Sequence, residues 1–262
     1  MCGIPDRILR KLGSNRFLFE ELVKRDFKKK YKRTVLGMGW SLLMPLLTLL
    51  VMKIVFGQFF ARSIEHFTSY LFCGNLLFGW FSESSSNGMR SLYGNAAIFT
   101  KVNVPKYLFL FAGNVQALIN FVLTLLVFFL FCWLDGIVFT WRFALLLYPI
   151  LTFLVFNVGV GLILSALYMF FRDMDYLWRV FTMLLMYCSA IFYPVEALSP
   201  DLQRMFAWNP IYRHIAYFRE IVLSGSVPTV ETHLALAGFA AAAFLIGAFI
   251  YKRYNTRFLY YV

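Results

Sequence analysis

Long apolar runs alternate along the chain with short polar or charged segments, and six of them approach or exceed the ~20 residues that a membrane-crossing helix needs. They are Ser41–Phe60, Tyr70–Met89, Tyr107–Trp133, Phe143–Phe170, Tyr176–Tyr193 and Leu234–Tyr251. Phe121–Trp133 and Ala144–Phe156 carry almost no polar residue, whereas Ser82-Glu-Ser-Ser-Ser-Asn87 dilutes the inner half of the second run. The pattern predicts an all-α integral membrane protein of six spans, one domain over residues 1–262. Ahead of the first run the period changes. Phe19, Val23, Phe27 and Tyr31 recur at every fourth position beside Leu18 and Leu22, with Lys24, Arg25, Lys28, Lys29 and Lys32 on the other face. This predicts an amphipathic helix over residues 16–33, its apolar side in the acyl boundary and its cations near anionic headgroups. Glu20–Lys24 and Glu21–Arg25 stand at the favourable i,i+4 spacing.

Composition supports lipid as the solvent, because a chain 61% hydrophobic and only 15% charged has too little polar surface to coat a soluble globule. The net charge of +12 raises the question of nucleic acid, and its distribution answers it in favour of topology. With the spans above, and with Arg179 in the first turn of the fifth counted with the loop before it, 19 Lys and Arg fall on the side of the two termini and five on the other, Lys53 being inside the first span. By the positive-inside rule both termini are cytoplasmic, and an even number of spans follows. Cys2, Cys73, Cys132 and Cys188 are scattered without metal-ligand or redox spacing and read as small hydrophobes. The first 40 residues lack a short apolar core, so no cleavable leader is expected there.

Two segments between spans are too apolar for free loops. Residues 91–104 contain Ile98, Phe99 and Val102, with room for about two helical turns before Val104-Pro105, and predict a cytoplasmic surface for docking another protein. Residues 194–233 carry Trp208, Asn209-Pro210 and a series of aromatics, and predict short helices that dip back into the membrane. Lys53 and Glu83 lie within spans, where they are costly in lipid. They predict either the lining of a polar conduit, with Ser84 and Asn87, or a buried ion pair. Asn157-x3-Gly161-x3-Ser165 and Gly238-x3-Ala242 form stripes of small residues that let helices approach. Asp173-Met-Asp175 has a spacing that some glycosyltransferases use for a metal-bound nucleotide sugar, and reads more simply as a helix cap. His66, His214 and His233 are far apart in sequence, and no metal site is expected. No G-x-x-x-x-G-K-[ST] occurs, so any ATP energy must arrive from a partner.

Specific residues add a family resemblance. Tyr31-Lys-Arg33-Thr-Val-Leu-Gly37-Met-Gly-Trp40, followed by Pro45, is similar to the leading motif of ABC-2 permeases that export O-antigen, capsule and teichoic acid. Gly94-Asn95 with Lys101-Val102 and Pro105 resembles their coupling helix, and Arg172-Asp173 their second cytoplasmic turn. Phe192-Tyr193-Pro194 with Asn209-Pro210 and Arg219 resembles their outer gate. The resemblance implies a homodimeric channel bound to two copies of a separate ATPase that holds the ATP and Mg. The substrate would be an undecaprenyl-diphosphate-linked polysaccharide, with no cofactor and no nucleic acid on this chain. It places Asn95, Ile98, Phe99, Lys101, Val102 and Pro105 at the ATPase. Phe27, Lys28, Tyr31, Arg33 and Trp40 would belong to the interfacial helix and its exit. A drug or lipid exporter of the same family, and a polytopic glycosyltransferase or acyltransferase using Asp173 and Asp175, are the competing expectations.

Overall fold

The structure, a computed structural model, describes residues 16–28, 32, 34–60, 64–102 and 104–261. Helix α1 covers residues 16–28. It is followed by α2 (Gly39–Phe60), α3 (Phe67–Arg90), α4 (Ala96–Phe99), α5 (Tyr107–Leu134) and α6 (Leu147–Phe170). Then come α7 (Met174–Tyr187), α8 (Pro200–Ala207), α9 (Pro210–Val222) and α10 (Val230–Tyr254). Short 3-10 turns precede α4 at Tyr93–Asn95 and α6 at Trp141–Leu146. The described residues contain no strand.

Among the described residues, four helices are long and apolar enough to cross a membrane: α2, α5, α6 with its preceding turn, and α10. Their bounds follow the hydropathic runs within a few residues, since a backbone in lipid has no partner but its own next turn. α3 is as long, and its polar residues are taken by neighbouring helices. The stretch expected as Tyr176–Tyr193 is a correction, because α7 ends at Tyr187. The carbonyls beyond it are claimed from outside the helix. Asn209 Nδ2 donates to the Cys188 oxygen at 2.7 Å, and Arg219 donates to Ala190 and Ile191 at 2.8 and 3.0 Å. Ala190 turns through a left-handed φ of 49° there.

The main core gathers on α3, whose aromatic positions Phe72, Trp80 and Phe81 are all but inaccessible and meet α5, α6 and α9. Trp80 stacks on Phe121 at 4.1 Å, and Phe81 stacks near Phe156 at 6.1 Å. α2 leans on this bundle and buries only Leu49, and α7 buries only Trp178. Both therefore present large apolar faces outward, among them Val51, Ile54 and Phe59, and Phe181, Leu184 and Tyr187. The α6–α10 pairing is the closest. A methyl on Gly159 would fall 2.4 Å from the Ala243 carbonyl carbon, and one on Gly247 would fall 2.5 Å from the Gly159 oxygen. The expected stripe on α6 faces inward, Gly161 meeting Gly88 of α3, whereas Gly238 meets nothing within 4 Å. Of the expected α10 stripe, then, Gly238 packs against nothing, and the close approach is made by Gly247, outside that stripe.

Candidate functional site

The segment between α3 and α5 is built from the inside outward. Phe99 is 5% exposed, in a cluster with Leu22 of α1, Leu108, Phe109 and Ala112, and Leu18, Phe19, Val23 and Ile98 pack around it. Two expectations change here. The apolar side of α1 rests on protein rather than in the acyl boundary, and Phe99 is its socket rather than a residue free to enter a partner. The largest side chains left outside are Tyr93, Lys101 and Val102, of which Tyr93 and Val102 are about half exposed. Asn95 does not dock outward either: its oxygen accepts from Arg25 at 2.7 Å and its amide donates to the Ser91 carbonyl at 2.7 Å, joining α1 to the segment. Arg25 also contacts Asp26 at 2.6 Å, and the acids of α1 pair as Arg16–Glu20 and Lys24–Glu21 instead of the expected Glu20–Lys24 and Glu21–Arg25. Phe27 is half-buried and Lys28 exposed, whereas Tyr31 and Arg33 lie outside the described residues. Trp40 stands at the start of α2, just past the left-handed turn at Gly37.

A second frame holds the segment from below. Arg172 lies 3.6 Å over the Tyr93 ring, and Lys106, next to the half-buried Pro105, lies 5.6 Å over Phe99 and 5.7 Å over the buried Phe258. Asp175 accepts from Arg90 at the end of α3 and from Arg179, each at 2.6 Å. These two guanidiniums, Arg90 first, hold its carboxyl below the usual range at the head of α7. Asp173 occupies the N-cap position of α7 without a side-chain cap bond. The two aspartates therefore form a cross-helix latch and a helix start, and Asp175's oxygens are committed to arginines.

The polar run of α3 splits among neighbours. Ser84 is fully buried and donates to Asn114 of α5 at 2.5 Å, Ser85 accepts from Trp178 of α7 at 3.2 Å, and Glu83 accepts from Asn120 of α5 at 2.7 Å. Ser84 is thus a correction, an interhelical tie and no lining residue. Glu83 does line space, on both of its sides. A cavity of about 390 Å³ between α2, α3 and α5 contains Trp40, Thr48, Trp80 and Asn120. A second one, of about 580 Å³, contains Asn87, Arg90, Arg25 and Gln116. Lys53 is exposed on α2 and lines neither cavity, so it does not face Glu83. Gln116, Asn120 and Thr124, spaced by four in α5, complete this polar wall, and that spacing inside an apolar run was the available signal.

At the opposite end, Asn209 caps α9 by accepting from the Ile211 and Tyr212 amides at 2.9 and 3.4 Å, with Pro210 at the first helical position. Arg219, 8% exposed, lies 3.4 Å over the Tyr70 ring and binds the carbonyls of Tyr70, Ala190 and Ile191. One side chain thereby joins α3, the turn after α7 and α9. Phe192 is buried and stacked on Phe56 at 4.5 Å, Tyr193 and Pro194 are half-buried, and Trp208 is 79% exposed. Phe192 is therefore a packing residue, joining the turn after α7 to α2. His214 is fully buried, its ring nitrogens 2.7 Å from the Pro210 oxygen and 3.2 Å from Thr152.

Residues 18–223 match the ABC-2 type transporter family. The chain is 27% identical over 254 residues to the O-antigen export system permease protein RfbA of Myxococcus xanthus, covering 96% of this chain and 98% of that one. It is also 27% identical over 251 residues to RfbA of Klebsiella pneumoniae, with 92% and 95% covered. With the polysialic acid transport protein KpsM of Escherichia coli it shares 23% over 245 residues, 89% and 92% covered. Apolar helices of membrane-crossing length, a polar wall inside them and a match across most of the chain lead to one assignment: the chain belongs to the ABC-2 type transporter family.

Proposed function

We propose that the chain is the transmembrane subunit of a bacterial inner-membrane ABC exporter of polysaccharide, working as a homodimer with two copies of a separate ATPase. The observation that carries this reading is alignment over nearly their whole length with permeases named for O-antigen export. In this reading α3 and α7 join the four apolar helices to make six crossings, both termini face the cytoplasm, and α8 and α9 form the re-entrant outer gate. α3 at 24 residues is about 36 Å long, and α7 at 14 residues is about 21 Å, so α7 needs the outer helices to complete its depth. The exposed faces of α2 and α7 are those offered to a second copy. The substrate, a glycan on undecaprenyl diphosphate, moves between them when the ATPases close. The stroke reaches the spans through Tyr93, Lys101 and Val102, carried by the unit that Arg25, Asn95 and Phe99 hold together.

The test is a tagged chain purified from its host's membranes, together with deletion of its gene. A Walker-motif ATPase is expected to copurify in equal amount, and deletion is expected to strand lipid-linked polysaccharide on the cytoplasmic side. Unchanged surface polysaccharide and no ATPase in the preparation would overturn the proposal.

A further inference from the structure

A third cavity, of about 370 Å³, lies where α5 begins and α10 ends, against the middle of α6, and no residue of α2, α3 or α7 lines it. It is therefore separate from the polar wall around Glu83. Its lining includes the apolar side chains Phe111, Leu162 and Phe244, and, at the start of α5 and the end of α10, Lys106, Lys252 and Tyr251. No carboxylate lines it, and neither lysine takes part in a side-chain ion pair among the described residues. Tyr251 is 7% exposed, and its hydroxyl is buried without a hydrogen-bond partner, an arrangement that folded proteins avoid. Burial pushes the Lys106 ammonium below its ordinary value, with no acid nearby to restore it.

The geometry points to a binding site for one anionic phospholipid of the cytoplasmic leaflet. Lys106 and Lys252 donate to the phosphodiester oxygens, the Tyr251 hydroxyl gains its missing partner, and an acyl chain lies along Phe111, Leu162 and Phe244. Lys106 immediately precedes α5 and Lys252 sits in the last turn of α10, the level at which basic pockets between helices meet headgroups. The apolar wall selects a lipid over free phosphate, which would leave it uncovered. Lys106 also donates to the Asn255 carbonyl at 2.5 Å while lying over Phe99 and Phe258, so the lipid sits beside the residue that braces the docking segment. The inference uses only the cytoplasmic placement of these helix ends, and it does not depend on what the exporter carries.

The full-length protein, purified in dodecyl maltoside with its ATPase, is titrated with dioleoylphosphatidylglycerol, dioleoylphosphatidylcholine or inorganic phosphate. Thermal unfolding and native mass spectrometry are read together. Phosphatidylglycerol is expected to raise the unfolding midpoint and to remain bound at one per chain, with at least fivefold weaker retention of phosphatidylcholine and no effect of phosphate. Lys252→Gln, at an exposed side chain, and Tyr251→Phe, which keeps the ring, are each expected to weaken phosphatidylglycerol retention about fivefold or more. An empty cavity predicts the reverse for Tyr251→Phe, equal or greater stability with the lipid response intact. That result overturns the site, as does an equal response to phosphatidylcholine or to phosphate. Because lipid is read on the purified protein, failure here is separable from failure of polysaccharide export.

Discussion

Phe99 and Val102 sit three residues apart in one short segment and have opposite fates, 5% against 55% exposed. Composition cannot separate them, because both are apolar and which one turns inward depends on α1 and α5 arriving above Phe99. Val102→Asp is expected to leave the unfolding midpoint near that of the parent while ATPase copurification falls at least tenfold. Phe99→Asp puts a carboxylate into an apolar cluster, costs several kcal/mol, about 3 or more, and is expected to deplete the folded protein itself. Equal yields of the two variants on gel filtration would contradict this division. Asp175 is the second residue whose role needed the fold, since Arg90 is 85 positions away in sequence. Asp175→Asn is expected to cost about 1 kcal/mol, the arginines being half in water. Its carboxyl is lowered in the folded state, so the latch is complete above the ordinary carboxylate value and is lost as the pH falls through the lowered one. Thermal unfolding should therefore separate parent from variant at neutral pH and bring them together in acid.

Among the elements, α6 and α10 show how backbone proximity is set by single positions. Gly159 and Gly247 face one another so closely that Ala at either must push the helices apart, at about 1–3 kcal/mol each. Ala at Gly238, with nothing within 4 Å, is expected to be neutral or mildly stabilising through helix propensity. Unfolding midpoints of the three variants give the ranking, and a destabilised Gly238→Ala would contradict the packing. The stripes in the sequence were legible as stripes, but their register against a partner was not, because small residues recur at several fourth positions in both helices. At the outer end Asn209 caps α9 and also ties it to the end of α7. Asn209→Ala should then cost about 1 kcal/mol for the cap alone and more for the lost tie, measurable as a drop in unfolding midpoint beyond that of Thr229→Ala at the start of α10.

For the whole molecule, the proposed six-crossing topology places Lys101 and Gln203 on opposite sides of the membrane. In a background with Cys2→Ser and Cys188→Ser, an impermeant maleimide is expected to label a cysteine at Gln203 in intact spheroplasts and one at Lys101 only after permeabilisation. Cys73 and Cys132 are buried and should stay silent. Labelling of both from outside would break the topology. The sequence alone was enough for the helical class, the bounds of the long apolar helices and the absence of a nucleotide-binding loop, because hydrophobic length and motif spacing are properties of the chain taken in order. It was not enough to show that the serines of α3 tie helices together, that α7 stops at Tyr187, or that the face of α1 rests on protein. Each of those outcomes depends on a donor, acceptor or apolar surface brought from tens of residues away: Asn114 for Ser84, Asn209 for Cys188, Phe99 for Leu22. Only folding determines which of many chemically adequate partners is within reach.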